Sequence, residues 1–199
     1  MGTTKAMRLG VTPLGIAATA LWMLGAMGCG DDRAPAPGVA DAGREPGFAA
    51  DALATGPRMW IAASEAPDAT WTFEAWAADL GAVFGLGAHI EVDGAQLEPL
   101  ADGSTGEAGD ALAAAGAAGE LALFHLEPTG AAFGATLPSP ETVEVSIDSP
   151  VRLAALHCRV LSATSARVAL SRAFARRSDG TYVALGTAGG VLTTEGDAR

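Results

Sequence analysis

The chain has 199 residues, a net charge of −11 and two cysteines, Cys29 and Cys158. Its sole lysine is Lys5, and an acidic chain so poor in cations has no phosphate-neutralising patch, which excludes nucleic acid as a partner.

In chain order, residues 1–28 read as an export signal. Lys5 and Arg8 give a basic start, an apolar stretch rich in Gly, Ala and Thr follows, and the run stops at Cys29 with Gly30-Asp31-Asp32 behind it. That is the order of a secretory signal, and the stretch is too rich in small residues for a spanning helix. Its end, "LGAMGC", resembles the lipobox of bacterial lipoproteins, with Gly28 before the cysteine. The resemblance implies cleavage before Cys29 and a diacylglyceryl group on its thiol. It also implies a membrane-anchored exported protein, on the outer membrane or cell surface rather than the inner membrane. Export removes Lys5 and Arg8 and leaves the chain more acidic still. Anionic headgroups would repel it, so a covalent lipid is a sensible anchor.

Residues 29–57 read as a flexible acidic tether. Pro, Ala, Gly and scattered acids give no apolar period there, and such a run spans about 30 Å. A short helix over 48–54 is compatible with the sequence. The folded part is expected over 58–199, with Cys158 unable to form an intrachain disulfide once Cys29 is acylated. Burial of apolar area must then hold the domain together, and it is long enough for one core.

From Arg58 the pattern shifts towards period two. In "WTFEAWA" (71–77), Trp71, Phe73 and Ala75 share one side while Thr72 and Glu74 share the other. Between 84 and 93 the alternation is cleaner. Phe84, Leu86, Ala88, Ile90 and Val92 form an apolar face; Gly85, Gly87, His89, Glu91 and Asp93 form a polar one. This is a half-buried strand. Gly85-Leu86-Gly87 is not a dinucleotide loop, because Ile90 stands where the third glycine belongs and no helix follows. Further strands are expected at 95–100, 119–127, 142–147, 151–161, 166–175 and 181–187, with 108–119 as a loop holding one helical turn. Short strands, turn residues and no alternating helices predict an all-β, antiparallel sandwich.

Two segments resemble the cohesin domain. The first is "AVFGLGAHIEVDGAQLEPL". The second is "LAALHCRVLSATSARVALSRAFARRSDGTYVAL", in which Leu153, Ala154, Leu156, Cys158 and Val160 lead to Val168 and Leu170 and then to the Asp179-Gly180 turn. The resemblance implies an antiparallel jelly-roll β-sandwich of about nine strands, related in shape to certain carbohydrate-binding modules. It implies a non-catalytic module that binds another protein, dockerin-like or otherwise, at the cell envelope. The polar face of the 84–93 strand is the expected contact, since Gly85 and Gly87 beside His89 and Glu91 permit close approach of a partner.

Other candidates carry less. Cys158 lies on the inward side of its strand, with His157 and Arg159 turned the other way, and reads as a buried inert thiol. His89, His125 and His157 lack the close pairs of a zinc site. The stretch "DGSTGEAGD" (102–110) lacks the ligand order of a calcium loop. Ser104 lacks a nucleophile elbow, and no carboxylate pair stands out as a glycosidase centre. No catalytic residue, metal or cofactor is therefore expected. Trp60, Trp71 and Trp76 remain; Trp76 breaks the alternation that buries Trp71 and is the candidate for stacking on a sugar, which makes a polysaccharide the alternative ligand.

Overall fold

The computed structural model describes residues 47–139, 143–162 and 165–194, all within one unit spanning Asp41–Arg199. The expected export signal 1–28, Cys29 and the expected tether as far as residue 46 lie outside the described residues.

Among the described residues thirteen strands and one helix follow in order: β1 (Gly47–Ala50), β2 (Arg58–Ala66), β3 (Thr70–Ala78), β4 (Gly81–Val83), β5 (Gly85–Val92), β6 (Leu97–Gly106), α1 (Ala108–Ala114), β7 (Leu121–Glu127), β8 (Gly130–Thr136), β9 (Val145–Ile147), β10 (Val151–Val160), β11 (Ser165–Arg176), β12 (Gly186–Ala188) and β13 (Gly190–Thr193). A six-stranded sheet runs β1-β13-β11-β5-β8-β7 and a five-stranded sheet runs β12-β2-β3-β10-β6, with β4 and β9 forming a separate pair. Every pairing is antiparallel except β12 with β2. The all-β antiparallel sandwich expected from the alternation is the fold observed.

Its cause is the two-residue period. β5 turns Leu86, Ala88, Ile90 and Val92 inward and β3 turns Trp71, Phe73, Ala75 and Ala77 inward; all are buried in one cluster with Met59, Ile61, Leu153, Leu156, Val168 and Leu192. Leu112 of α1 and Leu97 of β6 join the same cluster. Cys158 is fully buried there, and burial alone pushes its thiol pKa up to about 12.

Several expectations need correction. Residues 47–50, placed in the tether and given a possible helix, are a strand that pairs with β13. Phe48 enters the core edge-to-face against Phe73, 6.0 Å between ring centroids. Gly190 makes this possible, because a Cβ there would sit 2.2 Å from the Phe48 ring. Asp51 then fastens the strand. Its N–H donates to Gly189 O at 2.9 Å, and its carboxylate takes hydrogen bonds from Arg167. The 108–119 stretch holds a seven-residue helix, since alanine is the best helix former and Leu112 gives the helix something to bury. Residues 181–187 are mostly not strand, and the chain pairs instead through β12 and β13. β8, unpatterned as "GAAFGAT", was missed; it closes a hairpin with β7 at Gly130, whose φ of 148° and whose Cβ position 1.8 Å from Ile90 O admit no side chain.

Two outcomes test this packing. Phe48→Ala is expected to lower unfolding free energy by on the order of 2 kcal/mol, read by denaturant melts. Hydrogen bonding from Arg167 holds the Asp51 carboxyl below its usual pKa, so its contribution is present above the ordinary carboxylate range and is lost as pH falls through the lowered value. Asp51→Asn should therefore reduce the melting temperature slightly at pH 7, with the gap to wild type closing towards about pH 3. Separately, Cys158 should resist alkylation by iodoacetamide at pH 8 in the native chain and react once the chain is denatured; equal rates in the two states would contradict its burial.

Candidate binding face

The outward face of the six-stranded sheet has two distinct halves. Pairing sets four rows across β7, β8, β5 and β11. The first is Leu121, Thr136, Gly85 and Arg176; the second is Leu123, Gly134, Gly87 and Phe174. The third is His125, Ala132, His89 and Ser171; the fourth is Glu127, Gly130, Glu91 and Ala169. Two rows thus carry the leucines, glycines and Phe174, with Arg176 at the end of the first, and two carry the histidines and acids.

The apolar half is exposed. Leu121 and Leu123 are each 63% accessible, Tyr182 is 68% and Phe174 is 38%. Large apolar side chains in adjacent rows of one face are unusual on a surface that has no partner to meet. Phe174 reaches this face through a bulge. Alternation continued from the inward Val168 and Leu170 would turn Phe174 inward, but β11 gains one residue between Ser171 and Phe174, and Arg172 takes a φ of 51° there. The extra residue reverses the side on which everything after it points. Phe174 then lies over Gly87, where a Cβ would be 3.0 Å from its ring, and meets Tyr182 edge-on at 6.5 Å. Between these two aromatics, Gly85, Thr136 and Arg176 line a concavity of about 310 Å³. The Arg176 guanidinium is held over the Phe84 ring, 5.5 Å from its centroid.

In the polar half, His89 sits between two carboxylates. Its Nδ1 is 3.4 Å from Glu91 Oε1 and its Nε2 is 3.3 Å from Glu127 Oε2, and the side chain is only 12% accessible. The Ser171 hydroxyl donates to Glu91, and this bond, ahead of the neighbouring His89, holds the Glu91 carboxyl below its usual pKa.

The expected contact set is therefore divided. Glu91 is exposed, but Gly85 and Gly87 are buried and His89 is largely covered. The close approach that the glycines allow is internal. A Cβ on Gly87 would fall 2.6 Å from Phe133 O of β8, and one on Gly85 would fall 3.0 Å from Thr136 Oγ1. These glycines are the floor of the face, and Leu121, Leu123, Phe174 and Tyr182 are its walls. Sequence reasoning missed all four walls. β7 is apolar on both sides at this end, so alternation alone does not say which leucines face out.

The other sheet carries the tryptophan candidate. Trp76 and Trp60 lie directly opposite each other on β3 and β2, half-buried, with centroids 6.4 Å apart and planes 18° from parallel. Arg58 lies over Trp60 at 5.8 Å and pairs with Asp79. Trp76 Nε1–H donates to Glu74, and Arg152 bridges Glu74 and Glu107. His157 belongs to this sheet too, with its Nδ1 2.9 Å from Asp102 O and its backbone N–H donating to Ser104. His89 and His125 share a face across Ala132, so the fold gathers two of the three histidines. Among the described residues no three His, Cys, Asp or Glu side chains form a group that could hold a metal.

No protein-family model and no curated protein matches this chain. Solved structures do resemble it. The sixth cohesin of scaffoldin B from Acetivibrio cellulolyticus, solved in complex with a mutant dockerin, superposes with a TM-score of 0.51 at 18% identity, covering 71% of this chain and 100% of that one. A non-cellulosomal cohesin from the archaeon Archaeoglobus fulgidus gives 0.51 at 15%, covering 70% and 91%. A Clostridium acetobutylicum cohesin solved in solution gives 0.51 at 12%, covering 72% and 94%. At such identities the likeness speaks for the fold, and the domain is a cohesin-like β-sandwich.

Proposed function

We propose that the chain is a non-catalytic envelope lipoprotein, anchored through a lipid on Cys29, whose cohesin-like domain binds another protein through the outward face of the six-stranded sheet. One observation carries the reading: Leu121, Leu123, Phe174 and Tyr182 stand exposed together on a glycine-floored face of an otherwise acidic molecule. Covering one exposed leucine is worth about 1.5–3 kcal/mol, so this strip has the chemistry of an interface centre with a charged rim beside it. The dockerin complex of the Acetivibrio cohesin supports the same class of partner.

A polysaccharide would use the Trp60–Trp76 pair instead. Arg58 already lies over Trp60, and Trp76 is hydrogen-bonded within the Glu74–Arg152 network. Arg58 thus covers one face of Trp60 and the Trp76 N–H is already used, which favours the protein reading.

The full chain immobilised on resin should capture a specific protein from envelope extract. Leu123→Asp should cut that capture at least tenfold while leaving circular dichroism and melting unchanged, and Trp76→Ala should leave it intact. Equal capture by wild type and Leu123→Asp would remove the face from consideration, and retention on an insoluble polysaccharide lost with Trp76→Ala would establish the alternative. For the anchor, Cys29→Ala should move the protein from the membrane to the soluble fraction, and mass spectrometry of wild type should find a diacylglyceryl-modified N-terminal cysteine.

A further inference from the structure

The arginines of the described residues fall into two groups. Arg58, Arg152, Arg159 and Arg167 each pair with a carboxylate: Asp79, Glu74 with Glu107, Glu98 and Asp51 respectively. Arg172, Arg176 and Arg177 make no ion pair among the described residues. All three lie at the end of β11, around Phe174. In a chain of net charge −11, carboxylates are plentiful, yet among the described residues none forms an ion pair with these guanidinium groups. Two acids close to this strand end are engaged elsewhere. Asp179 accepts hydrogen bonds from the Thr181 N–H and hydroxyl, and Glu144 accepts two from Ser178. Arg172 and Arg177 act on Glu91 and Asp179 only through space.

Arg176 is the one of the three that lines the concavity between Phe174 and Tyr182. Its guanidinium is positioned by the Phe84 ring, so little ordering remains to be done when a ligand arrives. Gly85 keeps the floor low, and the Thr136 and Tyr182 hydroxyls add polar edges. The cavity therefore presents a fixed cation at one end and two aromatic walls, and the exposed Leu121 and Leu123 continue the surface across about three strand spacings, or roughly 14 Å.

We propose that this cavity is the anchor point for an acidic segment of the protein partner: one Asp or Glu pairs with Arg176, and an adjoining apolar side chain packs on Phe174 and Tyr182. The inference rests on the protein-binding reading and adds the chemistry of the partner. A guanidinium takes a carboxylate in a two-bond fork, so the site selects a carboxylate over an amide. Arg172 and Arg177, on the same stretch of chain, add positive charge, which favours the approach of an acidic segment to this part of an acidic molecule.

A random dodecapeptide library displayed on phage, selected on the full-length protein, tests this directly. Selected peptides should be enriched in Asp or Glu beside Leu, Phe or Tyr. Synthetic copies should lose about tenfold or more in affinity when the acid becomes its amide, when Arg176 is changed in Arg176→Gln, and when salt is raised to about 0.5 M. Arg176→Glu should bind a charge-swapped peptide, Asp→Lys, better than the original, and this gain cannot arise from a variant that has failed to fold. Tyr182→Ala should weaken all of them without altering the melting temperature. Peptides that need Leu123 but not Arg176, and carry no acid, would keep the protein-binding reading and overturn this inference. Failure to enrich any peptide would overturn it as well.

Discussion

Leu86, Ala88, Ile90 and Val92 leave β5 on one side and enter a single cluster with Phe73, Ile61 and Leu156 of the opposite sheet. The described domain has one cysteine, which is buried and free, so no covalent staple shares the task. The alternation that drives those four side chains inward fixes, by the geometry of a strand, which residues stand on the other side. Gly85, Gly87, His89 and Glu91 are outward because their neighbours are not. The proposed binding face inherits its register from the core, and a slip of one residue would exchange the two.

Small residues let that face come together. Gly87 admits the β8 backbone and the Phe174 ring, Gly190 admits Phe48, and Gly130 admits the Ile90 carbonyl. Each close contact is internal, and that at Gly87 lowers the floor between the β7 leucines and the β11 aromatics. A glycine on an outward face can thus serve a binding surface without touching the ligand, by letting a larger neighbour lie flat beside it.

Charge plays a different part in each region. The paired arginines join strands distant in sequence: Arg167 ties β11 to Asp51 beyond β1, and Arg152 ties β10 to β3 and the start of α1. Exposed pairs of this kind contribute about 0–1 kcal/mol each, so they select among arrangements more than they stabilise the chain. The arginines at the end of β11, which make no ion pair among the described residues, do neither. They leave a positive edge on an acidic protein, next to its most exposed aromatic pair.

The sequence by itself determined the class of the fold and much of its core. The period-two runs of β3, β5 and β10 announce which side chains go inward, because a strand has only two faces and water chooses between them. It also revealed Cys158 as a core thiol on the same ground. What it hid were elements without a period: β8, whose "GAAFGAT" offers no contrast between faces, and β1, whose place depends on an edge more than a hundred residues later in the chain. Tertiary structure decided the outward face proposed to bind. Phe174 points outward because of one inserted residue on β11, Leu121 and Leu123 are exposed because β7 is an edge strand apolar on both sides, and Arg176 makes no ion pair among the described residues. Each is settled by contacts between segments far apart in sequence, and local periodicity holds no record of them.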